Sequence, residues 1–254
     1  MRTVKVIGVG MGNPRQLTAE AVDALRSVDV FFVLEKGSAA DELAERRRDL
    51  CTAVVGAGDH RFVTVPDPAR DRSAAGYAEA VQEWTAARSD VLLDAVEAHL
   101  QPGQTAGILA WGDPSLYDST LRVLDAGRST GRLQVEVTPG ISSIQLLAAA
   151  HGISLTRVGR PLQVTTGRRL ADEGFPSGCD DVVVMLDGLC SFQHVDPDGV
   201  RIYWGADLGG PDQAIVSGEL GEVADAILAR RAEIRSRRGW VMDTYLLRRR
   251  IPRR

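Results

Sequence analysis

The sequence is poor in the residues that build metal sites and disulfide frameworks. Its 254 residues include only 3 cysteines and 4 histidines, and Cys51, Cys179 and Cys190 show no C-x-x-C spacing. This usage indicates a reducing compartment and predicts no zinc site. No apolar run approaches the roughly 20 residues that span a bilayer, and no signal-peptide cleavage site follows the amino terminus. We therefore expect a cytoplasmic protein with no membrane association and no metal.

Lysine is scarce as well. Of 30 basic residues only Lys5 and Lys36 are lysines, and the rest are arginines. The formal net charge is −4, but residues 230–254 hold ten arginines against Glu233 and Asp243. A basic segment can contact nucleic acid, yet this one lacks the repeated aromatic residues on which bases stack. We expect these arginines to form a solvated helix face and strand edge, and we expect no nucleic-acid partner.

The remaining composition is that of an ordinary globular protein. Apolar residues make up 44% and charged residues 25% of the chain, which is typical of folded domains and excludes a disordered chain. A length of 254 residues suits one large domain or two small ones. At this size a core forms without disulfides or a structural metal.

The first half of the sequence alternates strand and helix patterns. Short apolar, β-branched runs predict buried strands, and apolar residues at helical spacing predict helices between them, with Thr18 as the first N-cap. Residues 56–73, rich in glycine and proline, predict a loop. The alternation favours a mainly parallel sheet with helices on both faces. The predicted strands are Val4–Val9, Val30–Leu34, Thr105–Ala110 and Leu133–Val137, and the predicted helices are Leu17–Ser27, Ala39–Leu50, Ala74–Leu100, Leu116–Ala126 and Ile141–Ala150.

The second half contains more strand and less helix. One long helix, Glu219–Arg238, carries a stripe of apolar residues. The fold class predicted for the chain is α/β, with a mainly parallel sheet in a domain over residues 1–140 and a mixed sheet in a domain over residues 141–254. The predicted strands of the second domain are Leu162–Thr165, Val182–Leu186, Val200–Trp204, Ala214–Val216 and Trp240–Leu247.

Three glycine- and proline-containing turns follow predicted strands. They are Gly8–Pro14, Trp111–Tyr117 and Pro139–Ser143. Open α/β sheets bind ligands at the carboxyl ends of their strands, so we expect the three turns to meet at one small-molecule site. The first turn fits a dinucleotide poorly, because Asn13 stands where G-x-G-x-x-G needs its last glycine and Pro14 lacks an N–H donor.

The three turns in this order resemble the three signatures of the tetrapyrrole methylases, a family of S-adenosylmethionine-dependent methyltransferases. The resemblance implies two α/β domains with the cofactor in the cleft between them, in a homodimer. Four further segments are similar to those of the deacetylating members of the family, which act in the oxygen-dependent cobalamin pathway. That similarity implies methylation of C-1 of precorrin-5 with release of acetate. The four segments are Leu34–Gly37, Pro66–Arg72, Met185–Leu189 and Gly239–Tyr245.

The resemblance also implies which residues contact the cofactor. Asp113 has the alternative of an ordinary helix-capping aspartate, and Leu186 has the alternative of a plain core residue. Ser142 and Ser143 have the alternative of ordinary serines at a helix start. The implied cofactor contacts are Pro14, Trp111, Gly112, Asp113, Leu116, Ser142, Ser143, Leu186, Asp207, Leu208 and Met242.

Loss of the acetyl group needs a base and a donor to the developing oxyanion. The candidates are Glu35, Tyr117, Asp118, Asp187 and Asp243. The macrocycle carries acetate and propionate arms, which arginine and lysine bind, so Lys36, Arg70 and Arg72 are the candidate substrate contacts. The alternative for Asp67–Arg72 is an exposed charge run that pairs with itself. Arg46–Arg48 is expected on a solvated helix face.

Three other functions remain open at this stage. A tetrapyrrole methylase acting at another ring carbon would retain the acetyl group. An NAD(P)-binding oxidoreductase would be stabilised by a dinucleotide rather than by S-adenosylhomocysteine. A carrier protein would bind a corrinoid without turnover.

Overall fold

The structure is a computed structural model that describes residues 2–35, 38–56, 61–69 and 77–250. The chain divides into two compact units, Met1–Ser142 (unit 1) and Ser143–Arg254 (unit 2). Each unit contains a five-stranded sheet. The predicted α/β class, with a parallel first sheet and a mixed second sheet, is confirmed.

Unit 1 is a parallel sheet with the strand order β3-β2-β4-β1-β5. A single turn of 3-10 helix at Pro14–Gln16 precedes the first α-helix, and Thr18 caps that helix as predicted, its Oγ1 accepting the Ala21 N–H at 3.0 Å. The strands are β1 (Arg2–Gly8), β2 (Val30–Glu35), β3 (Arg61–Pro66), β4 (Thr105–Ala110) and β5 (Leu133–Thr138), and the helices are α1 (Ala19–Arg26), α2 (Ser38–Val55), α3 (Tyr77–His99) and α4 (Thr120–Ser129).

Strand β1 lies between β4 and β5 and is buried on both faces, as its β-branched apolar residues Val4, Val6 and Ile7 predict. Side chains alternate along a strand, so Val6 packs in one cluster with Leu92 and Leu124, while Ile7 packs on the other face with Leu25 and Leu50. Helices therefore cover both faces of the sheet. No described helix is long and apolar enough to span a membrane.

Two sequence predictions in unit 1 are wrong. Part of the predicted loop 56–73 is the edge strand β3, whose alternation of exposed and buried residues is hidden between flanking glycines and prolines. The final residue of the strand, Pro66, is tolerated there because it lies at the end of an edge strand. The predicted helix Leu116–Ala126 begins four residues later, at Thr120, because residues 113–119 form a longer turn.

Unit 2 is a mixed sheet with the strand order β6-β7-β10-β8-β9, in which only β6 and β7 pair in parallel. Its core packs Phe192, Trp204 and Tyr245 against the apolar stripe of the long helix. The short helix α6 (Gly167–Glu173) is not predicted by the sequence, because it is brief and mostly polar. The strands are β6 (Leu162–Thr166), β7 (Asp181–Met185), β8 (Val200–Ala206), β9 (Ala214–Glu219) and β10 (Asp243–Arg249), and the helices are α5 (Ser143–His151), α6 (Gly167–Glu173) and α7 (Leu220–Arg238).

Candidate functional site

The three turns of unit 1 meet, as the sequence predicts. Strand β1 lies between β4 and β5, so the turns that follow these strands are neighbours at one edge of the sheet. Gly112 donates its N–H to the Gly10 carbonyl at 2.7 Å, and Gly10 donates to the Gly112 carbonyl at 3.3 Å. The first and second turns are thus joined by a backbone bridge.

Glycine is required where the third turn contacts the other two. A Cβ added at Gly8 would lie 2.5 Å from the Gly140 nitrogen, and a Cβ at Gly140 would overlap the carbonyl oxygen of Gly112. These are backbone atoms, so no side-chain rotation relieves the overlap. The third turn therefore approaches the other two at backbone distance only because Gly8 and Gly140 have no side chains.

Asp113 ties the second turn to the third. Its carboxylate accepts the N–H of Gly140 at 2.9 Å and both the N–H and the hydroxyl of Ser115. Burial alone would raise the pKa of Asp113, but the hydrogen bonds from Ser115 and Gly140 outweigh burial and lower it. The helix-capping alternative is wrong, because α4 begins at Thr120 with Ser119 at its N-cap.

The indole of Trp111 covers the first turn. Gly12 adopts φ +91°, and a Cβ there would lie 2.8 Å from the Trp111 ring. The Nε1–H of Trp111 is buried without a hydrogen-bond partner in the described part of the chain. Pro14 is exposed on the first turn and Leu116 is half-buried on the second. A donor without an acceptor at this edge fits a site that receives a ligand.

A cavity of about 220 Å³ lies beside Trp111, at the carboxyl ends of β2 and β4. Its wall is apolar on the sheet side, and α2 and α3 each contribute one arginine, Arg47 and Arg88. We call it the Arg47 pocket. The lining residues are Phe32, Val33, Leu34, Leu43, Arg47, Arg88, Ile108, Leu109, Trp111, Asp118, Ser119 and Thr120.

Arg47 is not on a solvated helix face, so that prediction is wrong for this residue. Its Nε donates to the Leu109 carbonyl at 3.2 Å and its Nη1 to the Leu43 carbonyl at 3.5 Å. The guanidinium carbon lies 5.1 Å from the centre of the Trp111 ring, a cation–π distance. Burial lowers the pKa of Arg47 to about 10, and the negative charge of Asp118 opposes the shift. Arg47 is therefore a half-buried cation at neutral pH.

Arg88 differs from Arg47 because its charge is matched. It is 3% exposed, and its Nε lies 2.6 Å from Oδ1 of Asp67. Its Nη1 donates to Oγ of Ser119 at 2.7 Å. The alternative that Asp67 belongs to a charge run pairing with itself is wrong, because Asp67 is buried against α3.

The structure describes some of the remaining predicted site residues of unit 1 but not all of them. Tyr117 is half exposed with φ +51°, and Asp118 lines the Arg47 pocket while its Oδ1 accepts the Thr120 N–H at 2.7 Å. Ser142 is buried. The side chain of Glu35 and the residues Lys36, Arg70 and Arg72 lie outside the described residues.

In unit 2, Leu186 follows β7 with its side chain in the open. It is 65% exposed and adopts φ +54°, so the alternative of a plain core residue is wrong. An exposed leucine at a strand end suits contact with a ligand. Ser143 begins α5 and is buried, its Oγ accepting the Thr244 hydroxyl at 2.9 Å.

Asp187 is buried and fully occupied by hydrogen bonds. It accepts the Leu189 N–H at 3.1 Å, the N–H and hydroxyl of Ser191 at 2.6 and 2.9 Å, and the Tyr245 hydroxyl at 2.6 Å. These four donors fill the acceptor positions of a carboxylate. The contacts give Asp187 a structural role in shaping the turn after Leu186. A catalytic role stays a prediction that this geometry does not favour.

Asp243 belongs to the same buried network. Its Oδ2 accepts Trp204 Nε1 at 2.9 Å and Arg231 Nε at 3.0 Å, and Nη2 of Arg231 donates to the Asp187 carbonyl at 3.0 Å. Burial raises the pKa of Asp243, while Arg231 and Trp204 oppose the shift. Arg231 is buried, so the expectation of a solvated arginine face on this helix is wrong at that position.

Three further predicted cofactor contacts lie at the ends of β8 and β10. The N–H of Asp207 donates to the Met242 carbonyl at 3.0 Å, and the Asp207 carboxylate pairs with Arg238 at 3.0 Å. Leu208 is buried, so its side chain belongs to the core. These contacts keep the two strand ends together, and the cofactor roles of the three residues stay predictions.

The sequence alone does not reveal which residues contact the predicted acidic site residues. Arg47, Arg88, Arg231 and Tyr245 each bind or face a predicted site residue or its neighbours. One signal was present: Arg231 lies four residues after Ile227 and three before Ile234, on the apolar stripe of α7. The same spacing holds for Arg47, which lies four residues after Leu43 and three before Leu50 on α2.

Comparisons with known proteins agree on one family. The family model of the Tetrapyrrole (Corrin/Porphyrin) Methylases matches residues 3–224. The chain is 43% identical over 250 residues to "Precorrin-6A synthase [deacetylating]" of Sinorhizobium sp, covering 98% of this chain and 95% of that one. It is 29% identical over 179 residues to "Precorrin-2 C(20)-methyltransferase" of Sinorhizobium sp, covering 65% of this chain and 68% of that one.

Solved structures point the same way. The putative cobalamin synthesis related protein (CobF) from Corynebacterium diphtheriae superposes with a TM-score of 0.81 at 34% identity, covering 98% of this chain and 99% of that one. The uroporphyrin-III C-methyl transferase from Thermus thermophilus complexed with S-adenyl homocysteine shares the fold, with a TM-score of 0.59 at 20% identity, covering 97% of this chain and 92% of that one. These relatives give no support to an NAD(P)-binding oxidoreductase. The chain belongs to the tetrapyrrole (corrin/porphyrin) methylases, the S-adenosylmethionine-dependent family that its three turns resemble.

Proposed function

We propose that this protein transfers a methyl group from S-adenosylmethionine to C-1 of precorrin-5 and releases the acetyl group as acetate, giving precorrin-6A. The observation that carries the proposal is the 43% identity to a deacetylating precorrin-6A synthase over 98% of the chain. This similarity extends over nearly the whole length of both chains, so it supports the same reaction for this protein as well as the same fold.

The edge where the three turns meet fits an S-adenosyl cofactor. Three glycines bring backbone N–H and carbonyl groups of different turns together, and Trp111 adds a buried indole N–H without an acceptor in the described residues. Pro14, Gly112, Asp113, Leu116 and Ser142 are the proposed contacts on this unit. Bound S-adenosylmethionine supplies a methyl group on a sulfonium. The chain's part is positioning, which contributes up to roughly 7–11 kcal/mol when two reactants are held in line.

Release of the acetyl group requires water as the second reactant. A hydroxide equivalent adds to the acetyl carbonyl carbon, the carbon–carbon bond to the macrocycle breaks, its electron pair stays on the ring, and acetate leaves. Among the predicted acids whose side chains are described, Asp118 is the best-placed base, because it lines the Arg47 pocket. The carboxylates of Asp187 and Asp243 are already hydrogen-bonded within their buried network.

The experiment that tests this function supplies purified protein with methyl-labelled S-adenosylmethionine and precorrin-5. We expect one labelled methyl group on the tetrapyrrole and one acetate per turnover. A methylated product that keeps its acetyl group would identify a methylase acting without deacetylation. Binding of precorrin-5 without any label transfer would indicate a carrier.

Several expectations stay predictions beside this proposal. They are the domain assignment 1–140 and 141–254 with the cofactor between the domains, the contacts of Ser143, Leu186, Asp207, Leu208 and Met242, the substrate contacts of Lys36, Arg70 and Arg72, and the cytoplasmic location. A homodimer is also expected. Light scattering on the eluted protein would give about twice the 27.4 kDa chain mass for a dimer.

A further inference from the structure

Among the described residues, the hydrogen-bond acceptors of Arg47 are uncharged. The hydrogen bonds from its guanidinium go to the carbonyl oxygens of Leu109 and Leu43. Carbonyl oxygens satisfy N–H donors but do not cancel a charge. A cation beside apolar walls is costly unless an anion accompanies it.

The other two charged residues of the pocket, Arg88 and Asp118, are already engaged. Arg88 is already paired with Asp67 at 2.6 Å and holds the Ser119 hydroxyl. Asp118 acts on Arg47 only as a nearby charge, and its Oδ1 is engaged by the Thr120 N–H. Arg47 is therefore the pocket's available partner for an incoming anion.

The walls indicate what kind of anion fits. Phe32, Leu34 and Ile108 line the sheet side, so hydrocarbon is accommodated next to the charge. Trp111 extends this wall with its indole ring, over which Arg47 lies. A short alkyl chain ending in a carboxylate matches both features better than a phosphate, whose whole surface is polar. The planar guanidinium also suits a carboxylate.

We propose that Arg47 binds a carboxylate of the tetrapyrrole reaction in this pocket. Two sources share this chemistry: an acid side chain of the macrocycle, and the acetate released from it. The inference rests on the proposed function for the identity of the substrate. It adds a residue of α2 that lies outside the three turns and that the sequence analysis expects on a solvated helix face.

A binding experiment tests the pocket without turnover. Labelled acetate is titrated into the full-length protein and followed by NMR saturation transfer, with Arg47→Gln, Arg47→Lys and the control Arg48→Gln. Arg48 is the next residue of α2 and contacts Thr64 and the Phe62 ring instead of the pocket. We expect R47Q to weaken acetate binding about tenfold or more, R47K to be intermediate, and R48Q to match the wild type.

Steady-state kinetics with precorrin-5 distinguish the two sources. If the pocket takes an acid side chain, R47Q raises KM about tenfold or more with a smaller change in kcat, and added acetate does not inhibit the wild type. If the pocket takes the released acetate, added acetate inhibits the wild type, and R47Q is both less inhibited and slower in acetate release than in methyl transfer.

The proposal is overturned if R47Q matches R48Q in acetate binding, KM and acetate inhibition. Circular dichroism and S-adenosylhomocysteine affinity verify that each variant is folded, and R47K supplies the comparison if R47Q is not. Failure of the proposed function looks different. The wild type would not turn over precorrin-5, while acetate binding would still depend on Arg47 and not on Arg48.

Discussion

At the scale of single residues, the carboxylates differ by what surrounds them. Asp187 receives four hydrogen bonds inside unit 2. Asp113 receives two from its own turn and one from the third turn, and Asp118 faces a pocket. The sequence cannot rank them, because their burial and their long-range donors depend on how distant parts of the chain pack. Tyr245, for example, is 58 residues from Asp187.

Removing the Tyr245 hydroxyl should reveal the structural role of Asp187. Tyr245→Phe keeps the ring packed against Phe192 but takes away one donor to a buried carboxylate. A hydrogen bond to a charged group contributes about 1.5–3 kcal/mol, so we expect the free energy of unfolding in urea to fall by that amount. Tyr203→Phe, on the neighbouring strand β8, is the control and should change it by less than about 0.5 kcal/mol. Equal stability of the two variants would contradict the structural role.

The charge of Asp113 predicts a pH dependence. Its folded pKa lies below the ordinary 3.8, so the ionised form stabilises the folded state. This contribution is complete above about pH 3.8 and is lost as the pH falls through the folded pKa. Asp113→Asn lacks it at every pH. Melting curves should show a constant gap between wild type and variant near neutral pH, and the gap should narrow in acid. A gap that widens in acid would contradict the assignment.

At the scale of elements, the buried strands and the edge strands β5, β6 and β9 were predictable, and the edge strand β3 was not. The run Val4–Val9 is rich in β-branched residues and apolar apart from Lys5, so β1 could be recognised in the sequence alone. The strand β3 alternates only weakly, and the glycines and prolines around it predict a loop instead. The convergence of the three turns followed from the order of strands and helices. The Arg47 pocket did not, because its cations come from α2 and α3, whose placement depends on tertiary packing.

A substitution at Gly140 tests whether the close contact between the turns is needed for cofactor binding. A Cβ there meets the backbone oxygen of Gly112, so Gly140→Ala must move two turns apart. We expect S-adenosylhomocysteine affinity to fall by more than about tenfold while circular dichroism stays close to that of the wild type. Gly221→Ala in α7 is the control, because a Cβ there lies at an ordinary 3.5 Å from Pro197. Unchanged affinity in G140A would place the cofactor elsewhere.

At the scale of the whole molecule, the family assignment predicts which ligand stabilises the fold. S-adenosylhomocysteine at about 100 times its Kd stabilises a protein that binds it by about 2.7 kcal/mol. For a chain of this size each kcal/mol corresponds to about 2–4 °C in Tm. We therefore expect a rise of about 5–10 °C in a thermal melt. NADH serves as the control and should give no rise. The reverse pattern would contradict a methyltransferase.

The place of β10 in the sheet of unit 2 has a consequence for biosynthesis. This strand is the last along the chain, yet it lies in the middle of the sheet, between β7 and β8, and it carries the tyrosine that holds Asp187. A ribosome that has translated only as far as α7 has therefore produced two half-sheets with a gap between them. The turn that presents Leu186 can take its final form only after residues 243–249 have left the exit tunnel, so the sheet of unit 2 is completed only when β10 has emerged.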